Sequence, residues 1–177
     1  MVDQAKASGV TLATRTELGK LMLRATDEVA AIATNALERP WPQAINRAAG
    51  DVDDRTLRLG LDEYLLLMPR AAMSPAAIRL RHALADHHHA VVDLSGRFTV
   101  LEIQGTAVRQ TLAAACPLDL HDSAFGIGAA TRTVLGKAEI ILDRLAADRY
   151  RLVVNRSFAP YAEALLRTAA REFGLDG

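Results

Sequence analysis

The stretch RLGLDEYLLLMP, Arg58–Pro69, decides how the fold is read. Thr56–Leu59 and Glu63–Met68 are short runs rich in residues that suit a pleated surface, and Gly60, Leu61 and Asp62 supply a turn between them. That combination predicts a β-hairpin. Beyond it, Ser74-Pro75 pairs a capping hydroxyl with a residue whose φ is pre-set for a first helical turn. A helix is therefore expected from Ser74 to about Asp86, burying Ala77, Leu80 and Leu84. Upstream, Leu18–Arg24 is the first strand signal. Thr26 stands where it can cap a helix whose apolar residues Val29, Ile32, Ala33, Ala36 and Leu37 recur every three or four positions. Pro40 and Pro42 stop that helix, and residues 38–54 read as a loop packed down by Trp41.

A second stretch, DRLAADRYRLVVN at Asp143–Asn155, echoes the first, and each precedes a run expected to form a capped helix. Between them, Ala90–Leu94 and Phe98–Gln104 flank Ser95-Gly96-Arg97 and read as another hairpin. Gly105-Thr106 opens a helix carrying Val108, Leu112 and Ala115 on one side. Cys116–Gly128 is a loop with Pro117, Gly126 and Gly128. Strands follow at Thr131–Leu135, Ala138–Leu145 and Tyr150–Val154. A last helix is expected from near Ser157 to Gly174, with Phe158, Tyr161, Leu165, Ala169 and Phe173 as its apolar face. The expectation is an α+β fold: a pseudo-duplicated antiparallel or mixed sheet covered by helices. The chain is read as a single domain, 1–177, of two similar halves, about 10–89 and 90–174.

Composition narrows the function. Lysine plus arginine equal aspartate plus glutamate at 21 each, so the clustered positive charge that drives nucleic-acid binding is missing and no nucleic-acid partner is expected. Cys116 is the single cysteine, which excludes an internal disulfide. The stretch Met1 to Val10 carries Asp3 and Lys6 and lacks the apolar centre of a signal peptide. No apolar run approaches the roughly 20 residues of a membrane helix. A cytoplasmic protein without membrane contact is expected.

The residues that invite a chemical reading each have a plainer one. His87, His88 and His89 are consecutive, so their side chains diverge and cannot converge on one metal ion by themselves. Cys116 and His121 lack a third orienting group for nucleophilic catalysis. Asp119 suits a loop carboxylate accepting backbone N–H groups, against a folate-binding role. Gly126-Ile127-Gly128 lacks the third glycine and following helix of a dinucleotide site. Arg156 and Ser157 are expected to shape the start of the last helix rather than hold a phosphate.

HHAVVDLS (His88–Ser95), CPLDLH (Cys116–His121) with Phe125 beyond it, and RSFAPY (Arg156–Tyr161), together with LRLGLDEYLLLMP at Leu57–Pro69, resemble the gamma subunit of heterotetrameric sarcosine oxidase. The resemblance spans about residues 10–172. That family is in turn similar to the folate-binding domain of the glycine-cleavage aminomethyltransferase, and Asp93-Leu94-Ser95 resembles the start of that domain. The resemblance implies a non-catalytic structural subunit of a complex that demethylates sarcosine to glycine oxidatively and passes the one-carbon unit to tetrahydrofolate. It implies alpha, beta and delta partner subunits, with FAD, FMN, NAD and tetrahydrofolate held by them, and no catalytic, cofactor or metal residue on this chain. Cys116, Pro117, Asp119, Leu120 and His121 then become the expected partner interface. Other readings are a folate-binding aminomethyltransferase-like protein and a stand-alone scaffold or assembly factor.

Overall fold

The computed structural model describes residues 9–174, so Asp3 and Lys6 lie outside the described residues. Ten strands and four helices follow the chain as β1 (Val10–Thr14), β2 (Leu18–Arg24), α1 (Asp27–Leu37), β3 (Arg47–Gly50), β4 (Arg55–Arg58), β5 (Glu63–Pro69), α2 (Arg70–Ala83), β6 (Ala90–Asp93), β7 (Phe98–Gly105), α3 (Val108–Ala113), β8 (Ala130–Leu135), β9 (Ala138–Ala146), β10 (Arg149–Asn155) and α4 (Ala159–Ala170). They build an α+β architecture of two five-stranded sheets. One sheet has the order β1-β7-β10-β9-β8 and the other β3-β4-β5-β2-β6. Every strand pairing is antiparallel.

The two sheets pack face to face with helices outside. Leu18, Met22, Leu57, Leu65 and Leu67 of one sheet meet Val100, Ala130, Ile141 and Val153 of the other. On the first outer face, α1 and α2 bury Val29, Ala33, Leu37, Met73 and Leu80 over Leu21, Leu23, Tyr64 and Leu66. On the second, α3 and α4 bury Val108, Leu112, Ala162, Leu166 and Ala170 over Leu101, Ile103, Ile140 and Leu152. The central strands are thus covered on both faces. This explains why β5 reads EYLLLMP, apolar almost throughout, with only Pro69 exposed.

The expected hairpin across Ser95-Gly96-Arg97 does not form. A tight turn is present, with Arg97 and Phe98 N–H groups donating to the Leu94 carbonyl at 3.0 and 3.1 Å. The strands that leave it enter different sheets: β6 pairs with β2, and β7 with β1 and β10. The link from β1 to β2 crosses in the same way. Each sheet thereby takes its fifth strand from the other part of the chain, which ties the two sheets together. Gly105 permits this closeness. It has φ +138, and a side chain there would run into the backbone of Gly9.

Four further expectations are corrected. Residues 38–54 contain β3, whose sequence RAAG has little strand propensity; it forms as an edge partner of β4. Strand β1 precedes the first strand signal. Helix α2 starts at Arg70 rather than Ser74, so Pro75 sits in its second turn. Ala71, Ala72 and Met73 are good helix formers, and Met73 packs over Gly19, which outweighs the one N–H lost at the proline. Thr26 is the N-cap of α1 but makes no side-chain cap bond.

The apolar face of α4 is also rotated from the expected one. Ala162, Leu166 and Ala170 are buried, whereas Phe158, in a 3-10 turn before the helix, is 43% exposed and Tyr161 39%. Small residues let the helix approach the sheet closely. Tyr161 stays at the rim, where its Oη accepts the Lys137 N–H at 3.1 Å. No helix among the described residues is long and apolar enough to cross a membrane.

Candidate functional site

The loop after α3 is organised by its own short-range bonds. The Asp119 Oδ1 accepts the His121 N–H at 2.9 Å, and the His121 Nδ1 lies 2.8 Å from the Ser123 Oγ. Ala124 and Phe125 N–H groups both donate to the His121 carbonyl, at 3.0 and 2.8 Å. Pro117, Asp119 and His121 are exposed. Cys116 and Leu120, expected on the same surface, instead turn inward and join the core under α3 and α4. The reason is geometric: the loop closes the apolar end of that core with Leu120 and Phe125, so its outer side is left polar. Cys116 Sγ stands 3.8 Å from Thr133 Oγ1 while His121 is engaged with Ser123, so the two do not meet as nucleophile and base.

The other singled-out residues are dispersed. His89 Nδ1 sits 2.9 Å from the His87 carbonyl at an exposed corner. Among the described residues, no three or more His, Cys, Asp or Glu side chains are grouped to hold a metal ion. Gly128 stitches the loop to both sheets, its N–H donating to the Arg144 carbonyl at 3.0 Å and its carbonyl accepting the Ala48 N–H at 2.8 Å. Arg156 and Ser157 form the 3-10 turn that leads into α4.

Sequence reading did not anticipate the buried charges. On the inner face of the second sheet, Glu102, Arg151 and Asp143 stand side by side across β7, β10 and β9. The Arg55 Nε, reaching over from the first sheet, donates to both Asp143 oxygens at 3.1 and 2.9 Å. Arg151 donates to Glu102 at 3.1 Å and to the Val52 carbonyl at 2.6 Å, and Arg149 reaches Glu102 at 2.8 Å. Arg15, on the link between β1 and β2, also donates to Glu102. Burial pushes the Asp143 carboxyl up, against the pull of Arg55. Burial works on Glu102 too, but hydrogen bonds from Arg149 and Arg15 and the charge of Arg151 outweigh it and hold that carboxyl below its usual range. This layer clamps the sheets together, since removing one partner of a buried pair strands the other charge.

A second set of buried arginines organises the loops. Arg144 lies 5.5 Å from the Tyr150 ring centre and donates to the carbonyls of Phe125 (2.7 Å), Ala146 and Ala147 (both 3.3 Å). Arg58 lies 5.5 Å from the Tyr64 ring centre and donates to the carbonyls of Gln43 (2.7 Å), Gly60 (3.4 Å) and Leu61 (3.3 Å). Each also holds an exposed carboxylate at 2.5 Å, Asp122 and Asp27 respectively. Burial, then the hydrogen bond to Asp27, raises the Tyr64 hydroxyl to about 12. The signal for this pairing was the echo of Arg58–Pro69 in Asp143–Asn155. Chemically these arrangements are scaffolding, because their charges are consumed within the fold.

Known proteins share the sequence and the fold of this chain. Residues 24–172 match the model of the sarcosine oxidase, gamma subunit family. The sarcosine oxidase subunit gamma of Corynebacterium sp. (strain P-1) is 33% identical over 163 residues, which cover 92% of this chain and 79% of that protein. A chain of the heterotetrameric sarcosine oxidase from Corynebacterium sp. U-96 superposes with a TM-score of 0.88 at 31% identity, covering 98% of this chain and 89% of that one. The aminomethyltransferase T of the glycine cleavage system from Bartonella henselae shares the fold, with a TM-score of 0.69 at 12% identity over 93% of this chain and 47% of that one. The chain belongs to the sarcosine oxidase gamma subunit family.

Proposed function

We propose that this chain is a structural subunit of a heterotetrameric sarcosine oxidase and carries no catalytic residue of its own. The observation that supports this most directly is the similarity in sequence and fold, over nearly the whole chain, to a chain of such an oxidase. The oxidase removes the methyl group of sarcosine oxidatively, leaving glycine, and transfers the one-carbon unit to tetrahydrofolate. Alpha, beta and delta subunits would complete the assembly and hold FAD, FMN, NAD and tetrahydrofolate.

The outer side of the Cys116–His121 loop is one docking surface in this reading. Pro117, Asp119 and His121 stand outward on a loop whose inner side is anchored by Leu120. Anchoring keeps the polar groups in fixed register, which suits the rim of an interface. The test is co-expression of Asp119→Ala with His121→Ala alongside the other subunits. Normal melting of the isolated variant with poor recovery of the larger subunits is expected; full recovery of active complex would remove the loop from the interface. The isolated wild-type chain is expected to be colourless and inactive with sarcosine. Stoichiometric bound flavin, or turnover without partners, would overturn the structural role.

A further inference from the structure

Most arginines of this protein are matched to carboxylates inside the chain, as with Arg15, Arg55, Arg58, Arg144 and Arg151. Lys20, Arg97 and Arg156 are among the cations that are not: among the described residues, none of the three has a carboxylate oxygen within 4.0 Å. The turn between β6 and β7 gathers them. The Lys20 N–H donates to the Ser95 Oγ at 3.0 Å, and its ammonium donates to the Phe98 carbonyl at 3.0 Å. The Arg156 N–H donates to the Arg97 carbonyl at 2.8 Å, and its Nη2 reaches the Ser95 carbonyl at 3.5 Å. Arg97 lies over the Phe98 ring at 5.3 Å and donates to the Asn155 Oδ1 at 3.3 Å.

Lys20 is 97% buried, since its exposure is 3%. Burial depresses its proton affinity, and the nearby charges of Arg70 and Arg156 depress it further. Asp93 is the acid that opposes them, and its Oδ1 already accepts the Ser95 N–H at 2.8 Å. Positive charge therefore stands in excess at this spot in a chain of zero net charge. Directly beside it, the inner face of the second sheet runs out from under the first and forms an open groove of about 440 Å³. Phe98, Val134, Ile141 and Val153 line it, with Arg97 and Asn155 at one end, and Glu139 stands beside Val134 at the other with Arg132, which is paired with Glu63.

We propose that this surface docks an acidic segment of another subunit of the same oxidase, with a carboxylate against the exposed arginines Arg97 and Arg156 and an apolar side chain in the groove. The inference rests on the subunit reading above. Arginine forks recognise carboxylates by paired hydrogen bonds, and an apolar floor next to them supplies the affinity that an exposed ion pair lacks. A small inorganic anion would satisfy the charge and leave the groove unused. A peptide segment answers both.

The test is the double reversal Arg97→Glu with Arg156→Glu, co-expressed with the other subunits. Both side chains are exposed, so the isolated variant is expected to melt like the wild type. Its apparent affinity for the other subunits is expected to fall at least about tenfold at an ionic strength of about 0.15 M. The wild-type affinity should weaken as salt rises, and the variant's should not. The reversal Arg79→Glu with Arg171→Glu changes the net charge equally elsewhere and is expected to leave assembly intact. Equal assembly of the Arg97/Arg156 variant and the wild type, or equal loss with the Arg79/Arg171 control, would overturn the proposal while the subunit reading stands. Failure of the wild-type chain to associate with the other subunits would overturn that reading and the docking site with it.

Discussion

Arg144 is locked over the ring of Tyr150, 5.5 Å from its centre, and the same guanidinium closes the loop before β8 by donating to the Phe125 carbonyl at 2.7 Å. Arg58 and Tyr64 repeat the arrangement in the other sheet, with the Gln43 carbonyl in the place of that of Phe125. A loop end, a strand and a turn are thus fastened by one planar side chain, a task that suits the fixed fork of arginine.

Arg144→Ala is expected to destabilise the protein by on the order of 3 kcal/mol, through the buried carbonyl left without a donor and the packing lost over Tyr150. Arg58→Ala should behave alike, because its partners match. Asp122→Asn should matter much less, since that carboxylate is largely exposed. Urea denaturation of the three variants makes the comparison; an Arg144→Ala variant as stable as wild type would show that the loop is held by other bonds.

On α4 and the turn before it, Phe158→Ala should change stability by no more than about 0.5–1 kcal/mol despite the ring removed, because Phe158 is 43% exposed. Leu166→Ala, at a fully buried position, should cost roughly 2–5 kcal/mol. Thermal melts of both would reverse the assignment of faces if the phenylalanine variant proved the weaker.

Acid should loosen the clamp between the sheets through Glu102. Against burial, hydrogen bonds from Arg149 and Arg15 hold its carboxyl below the usual carboxylate range in the folded chain, so the ionised form favours folding. That contribution is fully present above the unfolded value and is lost as pH falls through the folded one. Glu102→Gln should lower stability near neutrality and flatten its decline on acidification. Asp143→Asn is expected to leave the acid limb in place, because burial raises that group instead. Denaturation midpoints followed from neutral to acid pH would contradict this if the Glu102→Gln profile kept the wild-type slope.

Gly105→Ala should destabilise by about 1–3 kcal/mol, since φ +138 is strained for any side chain and the added carbon meets the Gly9 backbone. Gly96→Ala faces open space and should stay within about 0.5 kcal/mol of wild type. Equal melting of the two variants would mean that β1 can shift away from β7 without loss.

The sequence by itself located β2, β5, β9, β10 and the bodies of α1 and α4, because each is a long run whose periodicity or turn chemistry is local. It also singled out the Cys116–His121 loop and the echo between Arg58–Pro69 and Asp143–Asn155, where two Arg–Tyr pairs turn out to stand. What the tertiary structure decided is where hydrogen-bond partners and faces come from. A turn at Ser95–Arg97 is encoded locally, but whether its strands pair depends on distant ladders, and those send β6 to β2 and β7 to β10. β3 exists because β4 offers it an edge and the Gly128 carbonyl accepts its Ala48 N–H. Strands buried on both faces carry no alternation to mark which side meets the other sheet. In α4, small alanines won the core side because they allow close approach, leaving Phe158 and Tyr161 outside. Leu120 faces inward for the same kind of reason, being needed to close the core. Lys20, Arg97 and Arg156 are scattered along the chain, and only the crossing of the two sheets brings their charges to one place.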